Sequence, residues 1–285
     1  MNERTAVITG AAGGLGQAIA RHLLAAGFRI IPVTRDQHSA QTALRNLLPH
    51  DRLTTAPAFS ADLLDLDGIH ALADRLHSTV DRIDVLVNNA GAAFAAYGET
   101  SAGAERTHAV NHLAPFLLTH LLLDRKLLGS DARIINISTD LIRRGRVSDD
   151  DPDVLGTSWR DRYRQTTVYA TSKLISMLAT FELATRLPPG MSAYSASPGI
   201  VRTSFTAKAG GVMRLTSAVA SLLAAPPSKA AQTPVSLATT VPAPTPNGGY
   251  FARSTATPPA GIARNAHLAA EIYRRTAEAL AITVR

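Results

Sequence analysis

Tyr169-Ala170-Thr171-Ser172-Lys173 sets a phenol and an ammonium four residues apart, which on a helix places them on one face, one turn from each other. At about 5 Å and an effective dielectric near 20, their attraction in the phenolate form is about 3 kcal/mol, or about two pKa units. A further positive charge beside the pair would draw such a phenol toward working pH. Tyr169 is therefore a candidate acid/base, and Lys173 the cation that tunes it.

A second cluster lies near the N-terminus. Thr9-Gly10-Ala11-Ala12-Gly13-Gly14-Leu15-Gly16 follows an apolar run and opens an amphipathic segment, the context in which a dinucleotide fingerprint works. Glycine lets the backbone turn tightly, approach a pyrophosphate and pack the helix against the strand. The helix N-terminus then offers free N–H groups and partial positive charge to phosphate. Gly10, Ala12, Gly13, Gly14, Leu15 and Gly16 are the expected cradle. An acid at the end of the second strand would grip the ribose 2′-hydroxyl of NAD. Here Ile30-Ile31-Pro32-Val33 runs into Thr34-Arg35-Asp36. Arg35 can make charge-assisted bonds to a 2′-phosphate, each worth about 1.5 to 3 kcal/mol, so NADP(H) is the expected cofactor. Asp36, one place late for the ribose contact, keeps NAD as the alternative.

Positioning these groups requires strands that end where the clusters begin. Short β-branched or apolar runs at 5–9, 29–34, 53–59, 83–87, 133–137 and 192–196 alternate with segments of helical period at 14–26, 39–48, 66–79, 104–123 and 169–186. That rhythm predicts an α/β fold, a doubly wound parallel sheet, with right-handed crossovers. A single domain spanning 1–285 is expected. Residues 141–167, polar and holding the only tryptophan (Trp159), read as a surface insertion. Residues 204–227, apolar and rich in small side chains, read as a substrate lid or an ordinary packing helix. The prolines of 242–249 mark a connection, Tyr250 and Phe251 begin an edge strand, and 263–282 closes the chain as an amphipathic helix.

Of the 285 residues, 46% are hydrophobic and 18% charged, which supplies a core and argues against disorder. The formal charge of +7 could suit nucleic acid or an anionic ligand. The dense basic run Arg143-Arg144-Gly145-Arg146 precedes Asp149, Asp150, Asp151 and Asp153, so it is expected to be locally neutralised, and no nucleic-acid partner is expected. With no cysteine, disulfides, thiolate metal sites and a cysteine nucleophile are excluded, and no metal site is expected. No apolar stretch reaches the roughly 18 residues of a membrane span, so no membrane partner and a cytoplasmic location are expected.

The chain resembles the short-chain dehydrogenase/reductase family along almost its whole length. The motifs occur in the family's order. They are the glycine loop from Thr9 to Gly16, Asp62-Leu63, Asn88-Asn89-Ala90-Gly91, Asn111, Asn136-Ile137-Ser138-Thr139, the Tyr169/Lys173 pair, and Pro198-Gly199-Ile200-Val201-Arg202-Thr203. It is most similar to the retinol dehydrogenase-like branch and its bacterial relatives. The segment from Val110 to Thr119, the insertion before Tyr169, Ala231-Gln232-Thr233-Pro234 and Gly249-Tyr250-Phe251 carry that likeness.

The resemblance implies a Rossmann fold and hydride transfer between NADP(H) and a carbonyl or alcohol on a small or medium-sized apolar molecule, most often as a ketone or aldehyde reductase. It implies that Asp62 and Leu63 contact adenine, that Asn88, Asn89, Ala90 and Gly91 support the adenosine side, and that Pro198, Gly199, Ile200 and Thr203 meet the nicotinamide end. Asn111 would hold a water linking Lys173 to solvent. Lys173 would also bind the nicotinamide ribose. A homodimer or homotetramer would pair through the helices at 104–123 and 169–186. Alignment on the family's strand end puts Thr139, not Ser138, at the carbonyl-polarising position. Thr139 keeps the hydroxyl donor but adds a methyl group, and Ser138 remains the alternative. Asp140 could face the pocket or cap a loop. Together, Thr139 and Asp140 motivate a rival reading as a non-redox dehydratase, epimerase or cyclase. A silent NADP-binding sensor is the other rival.

Overall fold

The computed structural model describes residues 3–49, 56–199, 201, 224–257 and 265–284. Side chains of opposite parity along each strand go to opposite faces of the sheet. In β1 (Arg4–Thr9), Val7 joins one core while Ala6 and Ile8 join the other. The same division sends Ile31 and Val33 of β2 (Phe28–Thr34) to the first core and Phe28 and Ile30 to the second. A strand buried on both faces reads as a continuous apolar run, which is why these segments are legible in the sequence.

The described strands continue with β3 (Phe59–Ser60), β4 (Ile83–Asn88), β5 (Leu128–Ile137), β6 (Ser192–Ser197), β7 (Tyr250–Ala252) and β8 (Thr255–Ala256). They form one sheet in the order β3-β2-β1-β4-β5-β6-β7-β8, parallel throughout except for the β7–β8 pair. This is the expected doubly wound α/β Rossmann architecture. The order reverses at β1, and the crevice beyond the carboxyl ends of β1 and β4 is where such sheets bind ligands.

Helix α1 (Gly14–Ala25) packs on one face, where Leu15, Ile19 and Leu23 are buried. Helix α2 (Gln37–Arg45) is capped by Asp36, and α3 (Leu66–Thr79) lies on the opposite face. A long helical segment follows in three pieces: α4 (Arg106–His108), a π-helical turn (Ala109–Leu113) and α5 (Ala114–Asp124). Then come α6 (Gln165–Arg186), the short α7 (Pro227–Ala230) and α8 (Gln232–Thr239), and α9 (Ala266–Ala279).

Several expectations shift at their edges. Helix α6 begins four residues before Tyr169, and β5 begins at Leu128 rather than at 133. The third strand is reduced to Phe59 and Ser60, with the earlier part of the expected run, 53–55, outside the described residues. The proposed lid falls outside them up to 223. The insertion contains two 3-10 turns, Asp140–Arg144 and Thr157–Trp159.

Within the insertion, the acidic side chains make their described contacts elsewhere than with the basic run. Asp151 pairs with Arg275 on α9 and Asp149 accepts from Asn265. Asp153 accepts from the backbone N–H groups of Gly156 and Ser158, both at 2.7 Å. The carboxylates are thus drawn to α9 and to a local turn, and none of the described ion pairs joins them to Arg143, Arg144 or Arg146.

Candidate active site

The ends of β4 and β5 and one face of α6 converge on Tyr169. Strand β5 delivers Ile137, Ser138 and Thr139; α6 delivers Tyr169, Ser172 and Lys173; the turn after β4 delivers Asn89, Ala90 and Gly91. Tyr169 hydrogen-bonds with Thr139. Lys173 Nζ donates to the Ile137 carbonyl at 2.7 Å. The side chain of Ser138, one residue along, is buried, and its Oγ has no hydrogen-bond partner in the structure. The hydroxyl brought to Tyr169 is therefore that of Thr139.

The electrostatics differ from the simple Tyr–Lys expectation. Burial, the largest influence, pushes Tyr169 up to about 12, and its hydrogen bond with Thr139 offsets only part of this. Burial also lowers Lys173 to about 8. Desolvation outweighs pair attraction here because the low-dielectric surroundings penalise both charged forms. At neutral pH Tyr169 keeps its proton and Lys173 its charge, the states of a proton donor and its supporting cation.

Asn111 lies inside the π-helical turn, a feature frequent at functional sites. Its Nδ2 donates to the Ala92 carbonyl at 2.8 Å and to Ser172 Oγ at 3.0 Å, and its Oδ1 accepts from the Ala92 N–H at 2.9 Å. Ser172 Oγ in turn donates to the Tyr169 carbonyl at 2.8 Å. Asn111 thus couples the turn after β4 to the helix turn carrying Tyr169. A Cβ on Gly91 would lie 3.1 Å from Asn111 Oδ1 and 3.6 Å from Lys173 Nζ, so the site needs glycine's small profile there.

The residues of the glycine loop fit a dinucleotide. Gly10 has φ +65°, and a Cβ on it would meet Ala90 Cα at 2.9 Å. One on Gly16 would come within 2.5 Å of the Gly10 carbonyl. Ala12, Gly13 and Gly14 are exposed, and α1 begins with no side-chain cap and no acid in its first turn. Its first N–H groups are the orphans that an anion can satisfy. Asn89 Nδ2 braces the loop through the carbonyls of Thr9 and Gly10, at 2.9 and 3.1 Å.

Among the other expected contacts, Arg35 is exposed at the end of β2. The Asp36 carboxylate is occupied by Ser39, accepting from its N–H and its hydroxyl at 2.8 Å each, and these bonds hold it below the usual carboxylate range. Asp62 is exposed and accepts from the Leu64 N–H, while Leu63 is partly buried against the core. Asn88 makes its described contacts with neighbouring elements. It is buried and donates to Thr119 and Asn136, at 3.3 and 2.8 Å, bonds that join β4 to its neighbours. Gly199 has φ +72° and Pro198 precedes it; Ile200 and Thr203 lie outside the described residues.

Two residues at this edge carried no site expectation. Asp140 Oδ1 accepts from Ser197 Oγ at 2.8 Å and from the Tyr250 hydroxyl at 2.7 Å. The neighbouring 3-10 turn is capped by Thr139, whose Oγ1 accepts from the Leu141 N–H. Ser197 and Tyr250 were not legible as partners, because a serine and a tyrosine 57 and 110 residues from Asp140 meet it only once β5, β6 and β7 are aligned.

The family model described as short chain dehydrogenase matches residues 4–147. A Streptomyces sp. (strain C5) protein, DnrU, whose name assigns it provisionally as a daunorubicin C-13 ketoreductase, is 34% identical over 282 residues, covering 99% of this chain and 94% of its own length. Mouse retinol dehydrogenase 12 is 34% identical over 204 residues, covering 71% of this chain and 63% of its own. The chain thus spans less than two thirds of the retinol dehydrogenases it matches. Among solved structures, an uncharacterized protein from Mycobacterium paratuberculosis superposes with a TM-score of 0.75 at 28% identity, covering 99% of this chain and 95% of that one. An actinorhodin polyketide ketoreductase with NADPH gives a TM-score of 0.63 at 22% identity over 88% of this chain and 95% of its own, a likeness of fold.

Proposed function

As this chain belongs to the short-chain dehydrogenase/reductase family, in its retinol dehydrogenase-like branch, we propose that it is an NADP(H)-dependent carbonyl reductase acting on a small to medium-sized apolar ketone or aldehyde. The observation that carries this reading is the contact between Thr139 and a Tyr169 that holds its proton. When bound, the nicotinamide supplies the hydride. The Thr139 hydroxyl donates to the substrate carbonyl oxygen and stabilises the charge that develops there. Tyr169 gives its proton to the same oxygen, completing the alcohol. Lys173, charged below about pH 8, favours the resulting phenolate and binds the nicotinamide ribose. Asn111 holds the turn of α6 in register and supports a water that returns a proton to Lys173.

For the cofactor, Gly10, Ala12, Gly13, Gly14, Leu15 and Gly16 receive the pyrophosphate, Asp62 and Leu63 the adenine, and Asn89, Ala90 and Gly91 the adenosine side. Pro198 and Gly199, continuing into Ile200 and Thr203, hold the nicotinamide end. Arg35 receives the 2′-phosphate. The engagement of Asp36 by Ser39 supports NADP, since the acid that could serve NAD is committed to capping α2. The DnrU and retinol dehydrogenase names support a carbonyl/alcohol substrate. The protein acts as a single cytoplasmic domain. The non-redox alternative leaned on Thr139 and Asp140; the contact of Thr139 with Tyr169 and the two protein donors on Asp140 Oδ1 favour the redox reading.

The test is cofactor preference. Wild type should reduce a panel of apolar aldehydes and ketones faster at low NADPH than at equal NADH, and Arg35→Asp should reverse the order by about ten- to a hundredfold. Equal use of both cofactors by the wild type would remove Arg35 from the account.

A further inference from the structure

One side chain ties the carboxyl ends of β5 and β6 to the first residue of β7. Asp140 follows Thr139 directly. Its Oδ1 takes the Ser197 hydroxyl proton at 2.8 Å and that of Tyr250 at 2.7 Å. Ser197 ends β6 and is 1% exposed, and Tyr250 opens β7 and is 7% exposed. Two residues past Asp140's serine partner, Gly199 turns through φ +72° and its N–H donates to Ser197 Oγ at 3.3 Å.

A serine hydroxyl can donate one proton and accept at its lone pairs, so its orientation is set by the stronger partner. An ionised carboxylate only accepts, and hydrogen bonds to it are roughly twice as strong as neutral ones. Asp140 therefore fixes the Ser197 proton toward itself and turns the lone pairs toward the Gly199 N–H. Tyr250, whose phenol burial drives well above its ordinary range, stays a donor and holds the carboxylate from the other side. The two donors saturate the Oδ1 that could otherwise have met substrate.

We propose that Asp140 is a positioning residue for the cofactor turn: through Ser197 it sets the backbone of Pro198 and Gly199, and so the affinity for the nicotinamide dinucleotide. This rests on the reading that the chain binds such a cofactor. Asp140 touches neither substrate nor cofactor, and it acts through a serine hydroxyl and one backbone N–H.

The experiment titrates the purified full-length chain with NADPH by nucleotide fluorescence, alongside the melting temperature without cofactor and the KM for a carbonyl substrate. Asp140→Ala and Ser197→Ala should each weaken NADPH binding about tenfold, and the double variant no more than the weaker single, because both break one chain of bonds. Asp140→Asn, which keeps an acceptor oxygen in place, should bind within about threefold of wild type. The carbonyl KM and the melting temperature should stay near wild type in all four variants. Wild-type affinity in Asp140→Ala overturns the proposal. So does an Asn variant as weak as Ala with both melting temperatures lowered, which would make Asp140 a brace for the fold. A wild type that binds neither NADPH nor NADH would instead overturn the cofactor reading itself.

Discussion

Ser138 and Thr139 are neighbours with nearly the same chemistry, yet the backbone sends their hydroxyls to different places. The Ser138 Oγ is enclosed without a partner, and the Thr139 hydroxyl meets Tyr169. Thr139→Val, which keeps the shape and deletes the donor, should lower turnover by about 10² to 10³. Thr139→Ser should remain active, and Ser138→Ala should change little. A crippled Ser138→Ala beside an unharmed Thr139→Val would assign the donor to Ser138. Lys173 supplies a second expectation. Burial disfavours its ammonium and brings its pKa down to about 8, so its charge is present below that pH and lost above it. The kcat/KM for carbonyl reduction should fall on the alkaline side with an apparent pKa near 8. A profile flat to about pH 10 would mean that the charge on Lys173 is not needed. At this scale the Tyr169/Lys173 pair and the glycine loop were legible because each is local in sequence. The direction of the Tyr169 shift was not, because it depends on burial that no spacing encodes.

Helix α9 alters what the neighbouring helices can do. Leu268, Ala269, Ile272, Tyr273, Thr276 and Ala277 form its buried stripe, each large apolar member contributing about 1.5 to 3 kcal/mol on burial. The stripe covers α5, α6 and the π-helical turn. His112 Nε2 meets Thr276 Oγ1 at 2.8 Å, His120 Nε2 meets the Tyr273 hydroxyl at 2.7 Å, and the Phe116 and Tyr273 rings lie 5.0 Å apart. The resemblance pointed to pairing of copies through 104–123 and 169–186. With α9 on that face, we expect light scattering to give a mass near the 30.1 kDa of one chain. A dimer that dissociates on substitution of an exposed residue of α5 would contradict this. The helix itself was visible as an amphipathic terminal segment. Its docking place was not, since periodicity shows that a face is buried and never against what. The π-helical turn at Asn111 was equally hidden, as Asn111 sits in an otherwise ordinary apolar helical pattern.

Across the whole molecule, alternating strand and helix signals were enough to give the doubly wound sheet, because strands buried on both faces are continuous apolar runs. Side-chain contacts between distant strand ends were out of reach of the sequence, and so was the fate of the charges. Asp149 and Asp151 bind α9 across more than 100 residues, and none of the described ion pairs joins them to Arg143, Arg144 or Arg146. No helix among the described residues is long and apolar enough to cross a membrane. The central claim is that glycine loop, strand end and Tyr169 act together in one NADPH-dependent carbonyl reduction. The most direct measurement follows NADPH consumption and alcohol formation together, in wild type and in Tyr169→Phe, with NADPH binding measured on both. The account predicts one alcohol formed for each NADPH consumed by the wild type. It predicts a Phe variant that binds NADPH nearly as well but turns over at least about 10² more slowly. Product formed without NADPH consumption, or a Phe variant with near-normal turnover, would contradict it.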